Sequence, residues 1–243
     1  MDYRTKREWE FYDYKKWIED GCEINNNVNI LRIHLQGLTE LSNKLDNLVN
    51  LQILDCSYNL LEQLPIEICN LSKLQKINCS NNNLTDLPDF IYNLQKLYCE
   101  CNRLTYLPEI CNDVNNLEIL ICHNNNLTNL PTTINKLSKL QNLDLCNNNL
   151  TDLPESLYDL INLTNLNVYG NKLVNLSELI HKLFNLEALN CQYNLLENLP
   201  KSTDKLNKLN YLFCTVKNNL QDSIYDLPNL RWLYCNNSIL INC

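Results

Sequence analysis

Residues 117–137 read LEILICHNNNLTNLPTTINKL. Asparagine-rich sequence is typical of loops and disordered tracts. In this stretch, however, the leucines, the cysteine and the isoleucine stand at fixed intervals, and a disordered tract has no physical reason to space its apolar residues. Nearly the same sequence, NCSNNNLTDLPDFI, occurs at residues 78–91, and similar segments follow further along the chain. The stretch is therefore one copy of an internal repeat.

Ten copies align in one register of about 23 residues. The copy that starts at Leu74 is three residues short. The copy from Leu209 is also shortened, and we expect Asn218 to supply its displaced asparagine. The shared pattern is L-x-x-L-x-[LC]-x-x-N-x-L-x-x-L-P-x-x-I-x-x-L. The copies start at Val28, Leu51, Leu74, Leu94, Leu117, Leu140, Leu163, Leu186, Leu209 and Leu230.

Each position of the pattern has a physical reason. The segment L-x-x-L-x-C predicts a short parallel strand whose leucine and cysteine side chains point inward. The asparagine ends the strand, and its amide can satisfy backbone groups of the turn that are otherwise buried without partners. Leu-Pro stops the strand ladder and turns the chain toward the opposite side. Because no single copy can bury its own leucines, neighbouring copies must stack.

Over residues 28–243 the pattern resembles the leucine-rich repeats, and its LPxxI half is similar to the intracellular Ras-group type. Its high asparagine content is similar to that of leucine-rich-repeat proteins of amoebal giant viruses. The resemblance implies an α/β solenoid, a horseshoe with parallel strands on the concave face and loops, short helices or 3-10 turns on the convex face. It also implies a non-catalytic scaffold that binds a protein partner on the concave face, and it brings no cofactor.

One core position of the repeat is occupied by cysteine in most copies. Ile33, Leu145 and Val168 stand there in other copies, so the thiol is predicted to be a small apolar filler. Thiols on neighbouring parallel strands lie nearly on a line, which cannot supply the tetrahedral corners of a zinc site. Their parallel Cβ vectors also disfavour disulfides. We therefore expect no metal at Cys56, Cys79, Cys99, Cys122, Cys191, Cys214 and Cys235.

A cysteine-dependent enzyme is the alternative function that the outward positions raise. Glu100, His123 and Cys146 follow the core position in three consecutive copies, in the order that Cys-His catalysis uses. Asp144 and Cys101 are close by and could add ligands for an adventitious metal. An open sheet offers no cleft or helix N-terminus from which to build an oxyanion hole. A solvated face is therefore favoured over an active site.

Aromatic residues are concentrated on the outward strand positions of the last copies. Clusters of exposed tyrosine, phenylalanine and tryptophan are typical of binding hot spots. The predicted partner-binding residues are Tyr169, Tyr193, Tyr211, Phe213, Trp232 and Tyr234. The alternative is that these rings shield the end of the solenoid or form a homodimer through the C-terminal end.

Residues 1–27 lie outside the repeat and are predicted to form an N-terminal helical cap. Phe11, Tyr14, Trp17 (or Ile18) and Cys22 recur at helical spacing, and the glycine before Cys22 favours a helix stop. A solenoid needs its first apolar face covered. The alternative is a recruitment helix, as in substrate-recognition adaptors. At the other end, the last copy stops in mid-repeat, which predicts an end that frays or is covered by a partner or a second copy.

Composition bounds the remaining functions. The net charge is −8 and there is no basic block, which disfavours nucleic-acid binding through phosphate contacts. No apolar run approaches the roughly 18–20 residues that span a bilayer. The start, MDYRTKREWE, lacks the apolar segment of a secretory signal. The 13 cysteines are then expected to be reduced thiols in an intracellular protein, in the cytoplasm, or in the host cytoplasm if the protein is viral.

Overall fold

The computed structural model of the chain describes residues 2–89, 94–110 and 116–236, and the backbone of residues 238–242. The described residues contain one sheet of twelve strands, which neighbour each other in sequence order. The strands are Glu8–Glu10 (β1), Ile30–Arg32 (β2), Ile53–Asp55 (β3), Lys76–Asn78 (β4), Lys96–Tyr98 (β5), Ile119–Ile121 (β6), Asn142–Asp144 (β7), Asn165–Asn167 (β8), Ala188–Cys191 (β9), Tyr211–Cys214 (β10), Trp232–Cys235 (β11) and Ser238–Asn242 (β12).

The strands β1 to β11 run parallel, whereas β12 is antiparallel to β11. Each copy of the repeat contributes one parallel strand, and β1 adds one before the first copy. The predicted α/β solenoid with its parallel strands on one face is therefore confirmed.

The chain returns from one strand to the next over the convex side, mostly as turns and short 3-10 segments, as predicted. The one α-helix of the described residues, α1, spans Phe11–Glu19 and lies before the repeats. The 3-10 segments are Tyr3–Thr5, Leu45–Asn47, Ile66–Asn70, Ile134–Lys136, Glu155–Asp159, Glu178–Lys182, Lys201–Lys205 and Asp222–Asp226.

The core is a stack of leucine layers with a column of thiols through it. All seven core cysteines are at most 3% exposed, and all are free. In the register of the sheet Cys214 lies between Cys191 and Cys235 on the neighbouring strands. The prediction that these thiols act as buried apolar fillers is confirmed by their burial.

The repeat asparagines form a ladder that joins neighbouring copies. Asn125 Nδ2 donates to the carbonyls of Cys122 (3.0 Å) and His123 (3.3 Å) in its own turn and of Cys99 (3.1 Å) in the preceding copy. Its Oδ1 accepts from the Leu104 N–H at 3.0 Å. The predicted role in the turn is confirmed, and the link between copies adds to it. Equivalent bonds are made by Asn59, Asn82, Asn102, Asn148, Asn171 and Asn194.

A second polar ladder, which we did not predict, runs along the position before the first leucine of each copy. Lys139 Nζ donates to Asn116 Oδ1 of the preceding copy at 2.7 Å, and Asn162 Nδ2 donates to the Ser138 carbonyl at 2.7 Å. The sequence signal was present, because asparagine or lysine precedes the first apolar residue in all ten copies. These bonds tie the ends of successive convex segments to one another.

The prediction for Asn218 is wrong. Lys217 N–H donates to the Leu196 carbonyl, a bond that elsewhere belongs to the residue directly after the ladder asparagine, such as Asn126. Val216 therefore occupies the ladder position, where it is buried, and Asn218 is exposed. The turn after β10 has lost one residue, so the hydrogen-bond register moves forward and no asparagine reaches the ladder.

The N-terminal segment covers the first copy with aromatic side chains from a strand and a helix. Trp9 on β1 lies beside Leu31 in the sheet, and Tyr14 and Trp17 of α1 are also buried. The Tyr14 hydroxyl accepts a hydrogen bond from the Ser42 N–H at 2.8 Å. Of the two residues proposed for the inward face of the helix, Trp17 is buried and Ile18 is 43% exposed. The strand β1 was not predicted.

The prediction that the last copy frays, or is covered by a partner or a second copy, is also wrong for the described residues. The backbone at Asn236 has a φ of 50°, and the chain then returns as β12 along β11. The edge of β11 is thus covered by a strand of the same chain.

Candidate binding face

Four of the six predicted binding residues form one group of rings on the outward face of β10 and β11. We call Tyr211, Phe213, Trp232 and Tyr234 the aromatic patch. In the sheet register Tyr211 lies beside Trp232, and Phe213 beside Tyr234. The ring centroids of Phe213 and Tyr234 are 6.5 Å apart. Tyr211 is 40% and Trp232 37% exposed, which is high for large apolar groups.

The other two predicted residues do not lie on strands, and in this respect the prediction is wrong. Tyr169 and Tyr193 follow the ends of β8 and β9, where the strands have given way to turns. Their rings contact each other edge to face, with centroids 5.0 Å apart and planes at 60°. We call them the aromatic pair. The pair therefore lies in the turns after β8 and β9, whereas the patch lies on β10 and β11, so the six rings do not form one row.

A left-handed residue after each strand explains why this turn was missed. The residue before the ladder asparagine has a positive φ in most copies, and asparagine or glycine is favoured there because both tolerate that conformation. Tyr193 adopts it as well, with a φ of 53°. A bulky side chain at such a position carries a backbone cost, which Leu35 and Tyr58 at the same position of other copies share. The column comprises Leu35, Tyr58, Asn81, Cys101, Asn124, Asn147, Gly170 and Tyr193.

Amide side chains lie on β8 and β9, next to the aromatic patch. Asn167 and Asn190 lie side by side in the register of β8 and β9. Asn167 Oδ1 accepts from the Tyr169 N–H at 3.1 Å, and Asn190 Oδ1 accepts from the Gln192 N–H at 3.2 Å. Each amide is thus oriented by the backbone of its own turn. Ala188, the smallest outward residue of this region, lies beside Tyr211 in the register of β9 and β10.

The two halves of the concave face differ in charge. The outward positions of β2 to β7 include five charged residues, Arg32, Asp55, Lys76, Lys96 and Asp144. The outward positions of β8 to β11 include none. The outward strand positions of the C-terminal half are therefore uncharged, with rings and amides, and the exposed Glu187 and Arg231 directly precede β9 and β11.

The residues of the enzyme alternative are neighbours but do not form a nucleophile–base pair. The described residues show a contact of His123 Nδ1 with Asn124 Nδ2 at 3.0 Å and no hydrogen bond between His123 and Cys146. Burial raises the pKa of the Cys146 thiol to about 11, and the carboxylate of Asp144 adds to the rise. The thiol is then protonated near neutral pH, whereas a nucleophilic cysteine must be a thiolate.

The described ranges contain neither a cluster of metal ligands nor a membrane-spanning helix. No group of three or more histidine, cysteine, aspartate or glutamate side chains there is arranged to hold a metal ion. Across the same ranges, the structure contains no helix with the length and hydropathy needed to cross a bilayer. The uncharged aromatic surface is thus the candidate site.

Comparisons with known proteins identify the repeats. Leucine-rich-repeat family models match residues 50–71, 73–94 and 115–173. No curated protein matches the sequence. A leucine-rich-repeat protein of Leptospira interrogans is similar in structure, with a TM-score of 0.76 and 31% identity over 94% of this chain. A chain of the Toll–Spätzle complex of Drosophila is similar over 89% of this chain, with a TM-score of 0.73 and 26% identity.

An internalin of Listeria monocytogenes shares the fold, with a TM-score of 0.66 and 19% identity over 88% of this chain. The chain spans 64%, 29% and 66% of the lengths of these three proteins. Three observations indicate the same kind of repeat: the stacking of one parallel strand per copy, the asparagine ladder and the family matches. The repeats of this chain are leucine-rich repeats, and the chain folds as a leucine-rich-repeat solenoid.

Proposed function

We propose that this chain is a non-catalytic scaffold that binds a protein partner on the C-terminal part of its concave face. Leucine-rich-repeat solenoids commonly serve in protein–protein interaction, and their extended concave surfaces are used for binding. The Toll–Spätzle structure is one in which a similar chain belongs to a protein complex. The observation that carries the proposal is the aromatic patch, four rings on two adjacent strands with no charge among them.

The binding free energy expected of such a patch is sufficient for specific binding. One well-buried aromatic hot spot contributes about 2 kcal/mol or more, which is about thirtyfold in affinity. The sheet beneath the patch is held by the strand ladder and the buried leucines, so the rings lose little freedom on binding.

The test compares partner capture by the full chain and two double variants. Phe213→Ala with Trp232→Ala should lose the captured partner, because both rings leave the patch. His123→Ala with Cys146→Ala is the matched control, since it alters the same face without touching the patch, and it should retain the partner. Mass spectrometry of proteins captured from extracts of the source cells supplies the readout, and thermal melts verify that both variants fold. A partner retained by the folded patch variant would exclude the patch as the binding site.

Self-association through the C-terminal end is the competing use of the same rings. Sedimentation of the wild type and the patch variant separates the two cases. A wild type that sediments as a monomer supports the binding of a different protein at the patch. A wild-type dimer that becomes a monomer in the patch variant would make the patch a homodimer contact and overturn the proposal.

An adaptor role for residues 1–27 is the remaining alternative. Trp9, Tyr14 and Trp17 are packed against the first copy, which favours a cap. Deletion of residues 1–27 should therefore destabilise the solenoid. A deletion variant that keeps the wild-type melting temperature and loses only a second partner would favour the adaptor.

We further propose that the protein acts in the cytoplasm, with repeats of the intracellular Ras-group type. The proposal is supported by the LPxxI half of the repeat and by the free thiols of the described cysteines. Peptide mapping of protein isolated from its source under alkylation should find reduced cysteines. Disulfides among the core cysteines in that map would contradict this placement.

A further inference from the structure

Two copies of the repeat carry the same exposed apolar residues in the turn that follows their strand. Residues 58–62 and residues 193–197 both read YNLLE. In the copies between them, the positions of the tyrosine and the first leucine are occupied by asparagine, cysteine, glycine, arginine or lysine. Exposed apolar groups that cluster in this way are typical of surfaces that another molecule covers. The residues in question, all more than half exposed, are Tyr58, Leu60, Tyr193 and Leu195.

Both motifs lie at one edge of the sheet. We call the left-handed residue and the residue two further on, in each copy from β3 to β9, the turn edge; it begins with Tyr58 and Leu60 and ends with Tyr193 and Leu195. Because the strands are parallel, their turns follow one another along this edge with a spacing of about 4.8 Å. The motifs follow β3 and β9, six strands or about 29 Å apart. The turn after β6 lies midway between them.

We infer that two copies of this chain associate along the turn edge, about a two-fold axis beside Asn124 in the turn after β6. A two-fold contact joins the same surface of both copies, so that surface must be complementary to itself. An axis at β6 places the turn after β3 against the turn after β9 of the second copy. One YNLLE motif then meets the other at both ends of the contact, with tyrosine and leucine against tyrosine and leucine. A different protein would have no need of the same motif twice at equal distances from one turn.

The polar residues between the motifs are compatible with this pairing. Arg103 in the turn after β5 lies opposite Asn149 in the turn after β7 of the second copy. Lys172 in the turn after β8 likewise lies opposite Asn83 in the turn after β4. Neither cation of the turn edge therefore faces another cation. Asn124 faces its own counterpart on the axis, and an amide can both donate and accept a hydrogen bond.

Two carboxylates also approach each other in this pairing. Glu62 and Glu197 are the last residues of the two motifs and lie opposite one another. The Nζ of Lys217 is 3.7 Å from the Oε1 of Glu197, so a cation accompanies each such pair. The aromatic patch lies on the strands β10 and β11, outside the turn edge, and the inference is therefore independent of the proposed function.

Sedimentation of two double variants tests the contact. Tyr58→Asn with Leu60→Asn gives the turn after β3 the two residues that the turn after β4 already has, and asparagine is favoured at a positive φ, so the variant should fold. We expect the wild type to be a dimer at micromolar concentration, and the variant to have a dissociation constant about tenfold higher or more. Tyr193→Asn with Leu195→Asn should weaken the dimer equally, because each contact uses one motif from each copy.

A mixture of the two double variants separates a second copy from any other partner. In the mixed dimer one contact joins two altered motifs, whereas the other joins two intact motifs. The mixture should therefore associate several-fold more tightly than either variant alone. A contact with a different protein gives no such recovery.

Cross-linking tests the position of the axis. Asn124→Cys places a thiol beside its own counterpart, and Cys101 shows that cysteine is accepted at this left-handed position. A short bis-maleimide should join two copies of this variant through the substituted position, as peptide mapping reports. Asn81→Cys is the matched control, since Asn81 lies opposite Gly170 of the second copy and should give no such link.

Each outcome decides the inference. A wild type that remains a monomer at millimolar concentration would overturn it, and so would a dimer that is unchanged in the folded turn-edge variants. A mixture no tighter than its components, or equal linking of Asn81→Cys and Asn124→Cys, would also overturn it. A dimer that is lost in Phe213→Ala with Trp232→Ala instead would place the contact at the aromatic patch, and the proposed function would fail as well. A dimer that survives that variant and dissociates in the turn-edge variants supports the inference and leaves the proposed function to its own test.

Discussion

At the residue scale, the ladder asparagines combine two tasks in one small side chain. Asn125 bonds three carbonyls and one N–H in two successive copies, and all of these bonds except the one to the His123 carbonyl are buried. Asn125→Ala leaves these groups without partners and should lower the free energy of unfolding by about 1–3 kcal/mol. Urea melts of the variant measure this loss.

The neighbouring residue supplies the control for that experiment. Asn126 is exposed, and its bond to the Leu104 carbonyl comes from the backbone N–H, which alanine retains. Asn126→Ala should therefore change the free energy of unfolding by less than about 0.5 kcal/mol. Equal losses in the two variants would show that the ladder does not stabilise the stack.

The outward thiol Cys146 makes a prediction about pH. Since burial raises its pKa to about 11, the thiol is protonated at neutral pH and becomes a thiolate only as the pH approaches that value. Site-resolved alkylation at pH 7 should be about a hundredfold slower than for an ordinary exposed thiol, and its rate should still be rising at pH 10. A labelling midpoint below pH 8 would instead support the enzyme alternative.

At the element scale, the N-terminal segment depends on a buried hydroxyl. Tyr14→Phe removes the acceptor of the Ser42 N–H and should destabilise the docking of α1 by about 1–2 kcal/mol. The fluorescence of Trp9 and Trp17, both buried beside it, reports its unfolding. Tyr12→Phe is the control, since Tyr12 is 76% exposed and in the same helix. A Tyr14→Phe melt that overlays the Tyr12→Phe melt would contradict this role.

The elements differ in how far the sequence predicts them. The strands of the repeats follow from the spacing of leucine and cysteine, because a buried face requires that period and a shift of one residue would turn it to solvent. β1 could not be predicted in this way, since three residues with one inward side chain carry no period. The position of Tyr193 was misjudged because a left-handed residue redirects the chain after the strand. The register after β10 was misjudged because the deleted residue is in the turn, where no leucine marks it.

The sequence predicted which aromatic residues form the candidate site but not how its amide groups are oriented. All six aromatic residues were identified from the sequence, and four of them share two strands. The orientation of Asn167 and Asn190 depends on hydrogen bonds to the backbone two residues on, which only the coordinates of the turn reveal. The orientation of these two amides therefore could not be read from the repeat pattern.

At the scale of the whole molecule, the hydrogen bonds of the ladders stabilise each copy against its neighbours, as in other one-dimensional stacks. Val216 cannot make the side-chain bonds of a ladder asparagine, so the copies of β9 and β10 are joined by fewer buried hydrogen bonds. The next two copies are joined by Asn236, whose Oδ1 accepts from the Val216 N–H at 3.0 Å. We expect amide hydrogens of β10 and β11 to exchange at least tenfold faster than those of β6 to β8, as measured by mass spectrometry. Equal protection along the solenoid would contradict an interrupted ladder.

Binding on the uncharged half of the concave face is most directly tested by hydroxyl-radical footprinting of the full chain with and without its captured partner. We predict that the partner protects Tyr211, Phe213, Trp232 and Tyr234 from oxidation. Tyr58 and Tyr106, which are 55% and 52% exposed elsewhere on the solenoid, should oxidise equally in both states. Protection of Tyr106 together with an unchanged rate at Trp232 would place the partner elsewhere and contradict the proposed binding face.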